Sequence, residues 1–175
     1  RGKKSDFIGT GQTGIMICGE GIAIDRVIGD FMAGATEKMV LEKAARGNLI
    51  LVEGQGSLAH PGFSGVTLAL LHGACPQALI LCHRPARPTI KGTNFPISSY
   101  SRLIETYEAM ASYMRPARVI ALALNTQDLN QEEALAAIKK AEAETGLPAA
   151  DPVRFGAHVL LGAIEKAGIL SPVGK

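Results

Sequence analysis

Residues 48–57 read N-L-I-L-V-E-G-Q-G-S, and the order of residue types in this stretch decides the fold. Leu49, Ile50, Leu51 and Val52 form an unbroken apolar run, the pattern of a strand buried on both faces of a parallel sheet. The run stops on a carboxylate, Glu53, and passes into Gly54, Gln55 and Gly56. Ligands of open α/β sheets bind beyond the carboxyl ends of the strands, so Glu53 is expected in a ligand crevice. The glycines beside it let the backbone approach a phosphate or a metal-bound water. The pattern favours an enzyme over a structural module.

Outward from this strand the chain alternates strand and helix. Residues 6–9 read as a short strand, residues 9–14 as a glycine turn, and a short helix follows through Ile17. Phe31, Met32, Ala35, Met39, Val40 and Ala44 recur at helical spacing, which predicts a helix over residues 30–46 stopped by Gly47. A short buried helix is expected at 65–72, a second apolar strand at 78–82, and a long polar loop at 83–96. Loops of that size in a compact domain tend to be functional or disordered. Helices at 98–114, 130–145 and 156–167, with a strand at 118–124 ending beside Asn125, complete the pattern. Such alternation implies an α/β fold, a doubly wound and mostly parallel three-layer sheet, in a single domain over residues 1–175.

Composition narrows the class. The 175 residues suit one domain with a sizeable core, and a net charge of +2 without a basic, aromatic-interleaved stripe argues against a nucleic-acid partner. No run of 18 apolar residues points to a membrane partner. Cys18, Cys75 and Cys82 are an odd count without metal-ligand spacing; Cys75 and Cys82 are expected as small buried hydrophobes in a cytoplasmic protein. A small-molecule substrate and a homo-oligomeric assembly are the expected partners.

Several groups could carry chemistry. Gly9, Thr10, Gly11, Gln12, Thr13 and Gly14 match G-x-G-x-x-G directly after a strand, an anion-facing loop leading into a helix. A dinucleotide-binding unit wants a second strand ending in an acid about 20 residues later, whereas here the acid-ended strand arrives only at Glu53. The phosphate loop G-x-x-x-x-G-K-[ST] does not occur in the sequence. Glu53, with Gly54, Gln55 and Gly56, suits a carboxylate that holds magnesium through water, so magnesium is a possible cofactor and Glu53 its ligand. Asp25 and Asp30 are spaced to point in different directions, and Asp30 also suits a helix cap. His60 is a candidate general base, because imidazole titrates near neutrality; the turn after Pro61 offers N–H groups to an oxyanion. His83 ends its strand at the ligand edge, while His72 and His158 lie within helices. Arg84, Arg87 and Lys91 suit recognition of a carboxylate or of a phosphorylated cofactor such as CoA.

G-T-G-Q-T-G-I-M-I, then G-x-x-I-D-R-V-I-G-D-F-x-A-G-A-T-E, then V-E-G-Q-G-S-L-x-H-P-x-F-S-G-V-T-L-x-L-L-H-G, together resemble the carboxy-terminal domain of the D-glutamate N-acetyltransferase family. The resemblance covers essentially the whole chain. It implies a P-loop-NTPase-like fold related to dethiobiotin synthetase, and transfer of an acetyl group from acetyl-CoA to the amine of D-glutamate. It also implies an upstream strand with a phosphate loop and an amino-terminal domain, so the chain is expected to be a fragment of a larger two-domain protein. On chemistry and position Glu53, His60, Asp25 and Asp30 are the candidate catalytic residues. The glycine loop, residues 54–56, Arg84, Lys91 and Asn125 are the candidate cofactor contacts. Two other readings remain open: an ATP- and magnesium-dependent ligase or kinase, and a non-catalytic small-molecule-binding domain.

Overall fold

A computed structural model describes residues 4–169. The chain divides into two compact units: the described part of Arg1–Pro76 with Tyr113–Arg115, and Gln77–Ser112 with the described part of Pro116–Lys175.

The first unit is built on two parallel strands, β1 (Ser5–Ile8) and β2 (Leu49–Val52), paired in register from Ser5 with Leu49 to Ile8 with Val52. Helix α1 (Gln12–Cys18) follows β1, and two 3₁₀ turns, Ile24–Arg26 and Gly29–Phe31, lead into α2 (Met32–Ala44); α3 (Ser64–Ala74) follows β2. Alternation along the strands sorts their side chains between two faces. Ile8, Ile50 and Val52 pack with Ile24, Met39 and Leu70 into a core under α2 and α3. Phe7 and Leu51, of the other parity, are 38% and 41% exposed. The expectation of a strand buried on both faces therefore holds for one face of β2 only, the one that α2 and α3 cover, while Leu51 of the other face stays exposed. Helices α2 and α3 cross closely at Gly73, where a β-carbon would collide with the Ala33 carbonyl and the Thr36 side chain.

The helix expected at 30–46 starts two residues later. Asp30 sits in the preceding 3₁₀ turn, and Phe31, not Asp30, occupies the cap position of α2, without a side-chain hydrogen bond.

The second unit holds a parallel three-stranded sheet in the order β3 (Ala78–His83), β4 (Arg118–Leu124), β5 (Ala149–Ala150). Helices α4 (Tyr100–Ser112), α5 (Gln131–Thr145) and α6 (His158–Lys166) surround it. Leu81, Val119, Leu122 and Leu124 pack with Tyr100 and Leu103 of α4 and Ala141 of α5. On the other face Ala121, with Ile80, Ile120 and Ala123, packs on Leu160 and Ala163 of α6. A register shift between Leu79 and Ile80, which skips Ile120, changes the parity of β4, so that Val119 and Leu122 share a face. Helix α5 has a full capping box: Asn130 Oδ1 accepts from the Glu133 N–H at 2.9 Å, and the Glu133 carboxylate accepts from the Asn130 N–H at 2.9 Å. Gly146, in the left-handed conformation at φ 70°, closes it.

Strand β5 escapes sequence reading because two alanines carry no periodic signal. The long loop after β3 is ordered by its own backbone. Thr89 bridges Pro96, the Ile90 N–H donates to the Phe95 carbonyl at 2.9 Å, and the Ile97 N–H donates to the Pro88 carbonyl at 3.0 Å. None of the three cysteines is in a disulfide; Cys82 is exposed and Cys75 half-buried, rather than both buried as expected.

Candidate functional site

At the carboxyl end of the two-stranded sheet the glycine loop closes onto Glu53. The half-buried carboxylate accepts from the Thr10 N–H at 2.8 Å and the Gly11 N–H at 3.0 Å, both through Oε2. The buried Thr10 hydroxyl donates to the Glu53 carbonyl at 2.8 Å, and the Glu53 N–H donates to the Ile8 carbonyl at 3.0 Å. Four hydrogen bonds thus lock one residue to the end of β1. Oε1 accepts none among the described residues and is the oxygen left for chemistry.

The glycines serve this arrangement. A β-carbon on Gly14 would occupy the place of the Glu53 carboxylate, and one on Gly11 the place of the Gln55 amide. The first N–H groups of the G-x-G-x-x-G loop, expected to face an outside anion, are spent on the chain's own carboxylate. Gln12 and Thr13 remain exposed on the first turn of α1. Gly9 bridges Gly21, and Thr10 accepts from the Ile24 N–H at 2.9 Å, which lays residues 21–24 along the loop. Asp25 therefore lies one residue from a segment anchored to Thr10. It is exposed and pairs with Arg26 at 3.9 Å. Asp30 is exposed in its own turn, and no described hydrogen bond joins either aspartate to Glu53.

Beyond β2, the turn through residues 54–63 is held by Thr67 of α3, whose buried hydroxyl donates to the Gln55 carbonyl. Gly54 is exposed. Gly56 adopts φ 56°, and a β-carbon there would strike Phe63. Thr67 was not singled out from the sequence; its signal is a hydroxyl inside the apolar stretch Val66–Leu71 of α3.

His60 lies in the same turn but differs from the expected free base. Its Nδ1 accepts the Gly62 N–H at 3.0 Å, and its ring stacks on Phe63 with centroids 4.2 Å apart. A neutral imidazole accepting at Nδ1 carries its proton on Nε2. The Phe63 and Ser64 N–H groups donate to the His60 carbonyl at 3.1 and 2.9 Å. The N–H groups of the Pro61 turn expected to hold an oxyanion are thus engaged by His60 itself.

In the second unit the carboxyl rim of β3 and β4 carries His83, Arg84 and Asn125. Arg84 makes a two-pronged ion pair with Asp128, with Nη2 to Oδ1 at 2.6 Å. The expected anion clamp is therefore already occupied, and the Arg84 guanidinium holds the Asp128 carboxyl below its usual range. The Asn125 N–H donates to the His83 carbonyl at 2.8 Å, and its Oδ1 accepts from the Gln127 N–H at 3.1 Å. Lys91 is exposed on the ordered loop. His83 sits edge-on to Tyr100 with centroids 4.8 Å apart, and burial pushes its pKa down; Glu144 opposes and Arg87 reinforces the shift.

Magnesium favours oxygen ligands and keeps several waters. Glu53 offers it one oxygen, and among the described residues no group of three His, Cys, Asp or Glu could hold a metal ion.

Parallel strands flanked by helices in each unit, and a glycine loop facing an acid-ended strand, define an α/β protein, and comparison with known proteins supplies the family. Residues 1–161 match the family described as "Domain of unknown function (DUF1611_C) P-loop domain", and the chain belongs to it. It is 44% identical over 166 residues to a protein of Tritonibacter scottomollicae named D-glutamate N-acetyltransferase, covering 94% of this chain and 50% of that one. A protein of the same name from Pseudoalteromonas sp is 41% identical over 155 residues, covering 86% of this chain and 46% of its own. The crystal structure of a DUF1611 family protein from Anabaena variabilis ATCC 29413 superposes with a TM-score of 0.90 at 43% identity, covering 94% of this chain and 49% of that chain. The chain spans about half the length of the curated relatives it matches. No helix among the described residues is long and apolar enough to cross a membrane.

Proposed function

We propose that this chain is the carboxy-terminal part of an N-acetyltransferase that moves an acetyl group from acetyl-CoA to the amine of D-glutamate. The reaction is suggested by the names of the two relatives. The observation that carries the residue assignment is the Glu53 carboxylate, oriented through Oε2 by two backbone N–H groups with Oε1 left open.

In this reading Glu53 Oε1 takes a proton from the substrate ammonium. The freed amine attacks the thioester carbonyl carbon; a nitrogen–carbon bond forms, the carbon–sulfur bond breaks, and the CoA thiolate leaves and is protonated. His60, held in the turn beyond β2, is the second residue assigned to the reaction, with its Nδ1 bonded to the Gly62 N–H in place of the base role first expected. Asp25, beside the glycine loop, suits attraction of the substrate ammonium, and Asp30 has no such placement in its support. Arg84, in the second unit, is paired with Asp128 and has no part in this reading. The same reading carries a cytoplasmic homo-oligomer in which this chain is one α/β domain of a longer two-domain protein. Light scattering on the full-length protein tests the assembly.

The test of the chemistry is turnover of the full-length protein with acetyl-CoA and D-glutamate. Glu53→Gln should lower kcat by about 100-fold or more, the usual contribution of a positioned base. His60→Ala should lower it by about 10–100-fold without abolishing substrate binding. Full turnover in both variants would end these assignments.

A further inference from the structure

A cavity of about 190 Å³ opens beside β1, entirely within the first unit, and the Glu53 carboxylate is not part of its lining. A single water needs only about 10–15 Å³ measured in this way, so the space admits a small organic molecule. Phe7, Ile8, Ile22 and Met39 give it apolar walls. Lys43, in the last turn of α2, lines it as well, with a side chain only 9% exposed. Among the described residues the Lys43 ammonium has one hydrogen-bonded partner, the half-exposed Glu20 carboxylate. An ammonium carries three N–H donors, and a buried cation left short of acceptors is costly. Glu20 stands between Gly19 and Gly21, at φ 79° and 141°, on backbone that other residues rarely adopt. Lys38 and Glu42, paired with each other at 4.0 Å, complete the charged part of the lining with Glu20 and Lys43.

A cavity with apolar walls on one part and a buried ammonium that has one hydrogen-bonded partner on another has a defined complement. We propose that this cavity binds a small monocarboxylate, its acid group on the free donors of Lys43 and its short apolar body against Phe7, Ile8, Ile22 and Met39. A bare phosphate leaves the apolar walls unfilled, and a neutral amide leaves the ammonium without a second charge partner. Glu20 then acts as a competing negative charge at the mouth, so its neutralisation strengthens binding. The site is independent of the acetyltransferase reading, because none of its groups takes part in that chemistry.

The experiment uses the full-length protein and pentanoate, with pentanamide and inorganic phosphate as controls, read by thermal stabilisation and by chemical-shift changes around Met39. Pentanoate should raise Tm saturably, and the two controls should not. Lys43→Met should abolish the response, and Glu20→Gln should tighten pentanoate by about tenfold, the factor that corresponds to about 1.4 kcal/mol. Glu20 is at the surface, so this second variant remains informative should Lys43→Met fail to fold. The proposal is overturned by an equal response to pentanamide, by no response to any probe, or by unchanged or weaker binding in Glu20→Gln. Acetyl transfer that persists in Glu20→Gln separates this outcome from any failure of the catalytic assignment.

Discussion

Gly14 and Glu53 share one volume: the space a β-carbon would fill on the glycine is occupied by the glutamate's carboxylate. The pair explains why a glycine stands at the end of the G-x-G-x-x-G loop and why Glu53 points back at the loop that precedes it. Gly14→Ala should displace the carboxylate and lower kcat about as much as Glu53→Gln, with a stability loss of about 1–3 kcal/mol from overpacking. Turnover and the chemical denaturation midpoint, measured on the same variant, check this; unchanged turnover would separate the two residues.

The crossing of α2 and α3 predicts a second effect. Gly73→Ala places a methyl against the Ala33 carbonyl and Thr36. Alanine gains about 1 kcal/mol of helix propensity over glycine, but overpacking costs about 1–3 kcal/mol, so a net loss of Tm is expected. Gly162→Ala in α6 meets open space and should instead raise Tm. Equal shifts of the same sign would count against the close crossing.

Asp151 accounts for acid sensitivity in the second unit. It is buried, and its Oδ2 accepts from the Thr126 N–H and hydroxyl while its Oδ1 accepts from the Val153 and Arg154 N–H groups, each at 3.0 Å. Burial works to raise its pKa, but the bonds from Thr126, Arg154 and Val153 outweigh burial and hold it below the ordinary 3.8. A depressed carboxyl pKa stabilises the fold above the unfolded value and loses that stability as pH falls through the folded one. Asp151→Asn must turn an amide nitrogen toward N–H donors whichever way it flips. A loss of about 2–3 kcal/mol near neutral pH is expected, with a smaller difference from wild type below about pH 3. Urea unfolding across that range measures it.

His83 works with the opposite charge. Its pKa lies below the ordinary 6.5, chiefly through burial. A depressed imidazole pKa means the unfolded chain binds the proton more readily, so His83 opposes folding as pH falls below about 6.5 and has no such effect above it. The NMR titration of its ring protons should have a midpoint under 6.5. His83→Gln should flatten the decline in Tm between about pH 7 and pH 5. A midpoint at or above 6.5 would contradict the burial of the ring.

Much of the frame is legible in the chain itself. The apolar runs at Leu49–Val52 and Ala78–His83 declare strands, Asn130 with Glu133 and Gly146 declare both ends of a helix, and Glu53 declares the carboxyl end of a strand. These signals are local: they rest on periodicity and on turn chemistry within a few residues. What the glycine loop holds is decided elsewhere, since its anion is a glutamate 43 residues away from Thr10 in sequence. The same is true of Arg84, whose partner Asp128 lies 44 residues on, and of Thr126 with Asp151, 25 apart. Residue type and spacing determined that this protein would carry an acid on a strand end beside a glycine turn. Only the tertiary structure decided which donors and acceptors are already spent, because hydrogen bonds are satisfied in space and each can be satisfied once.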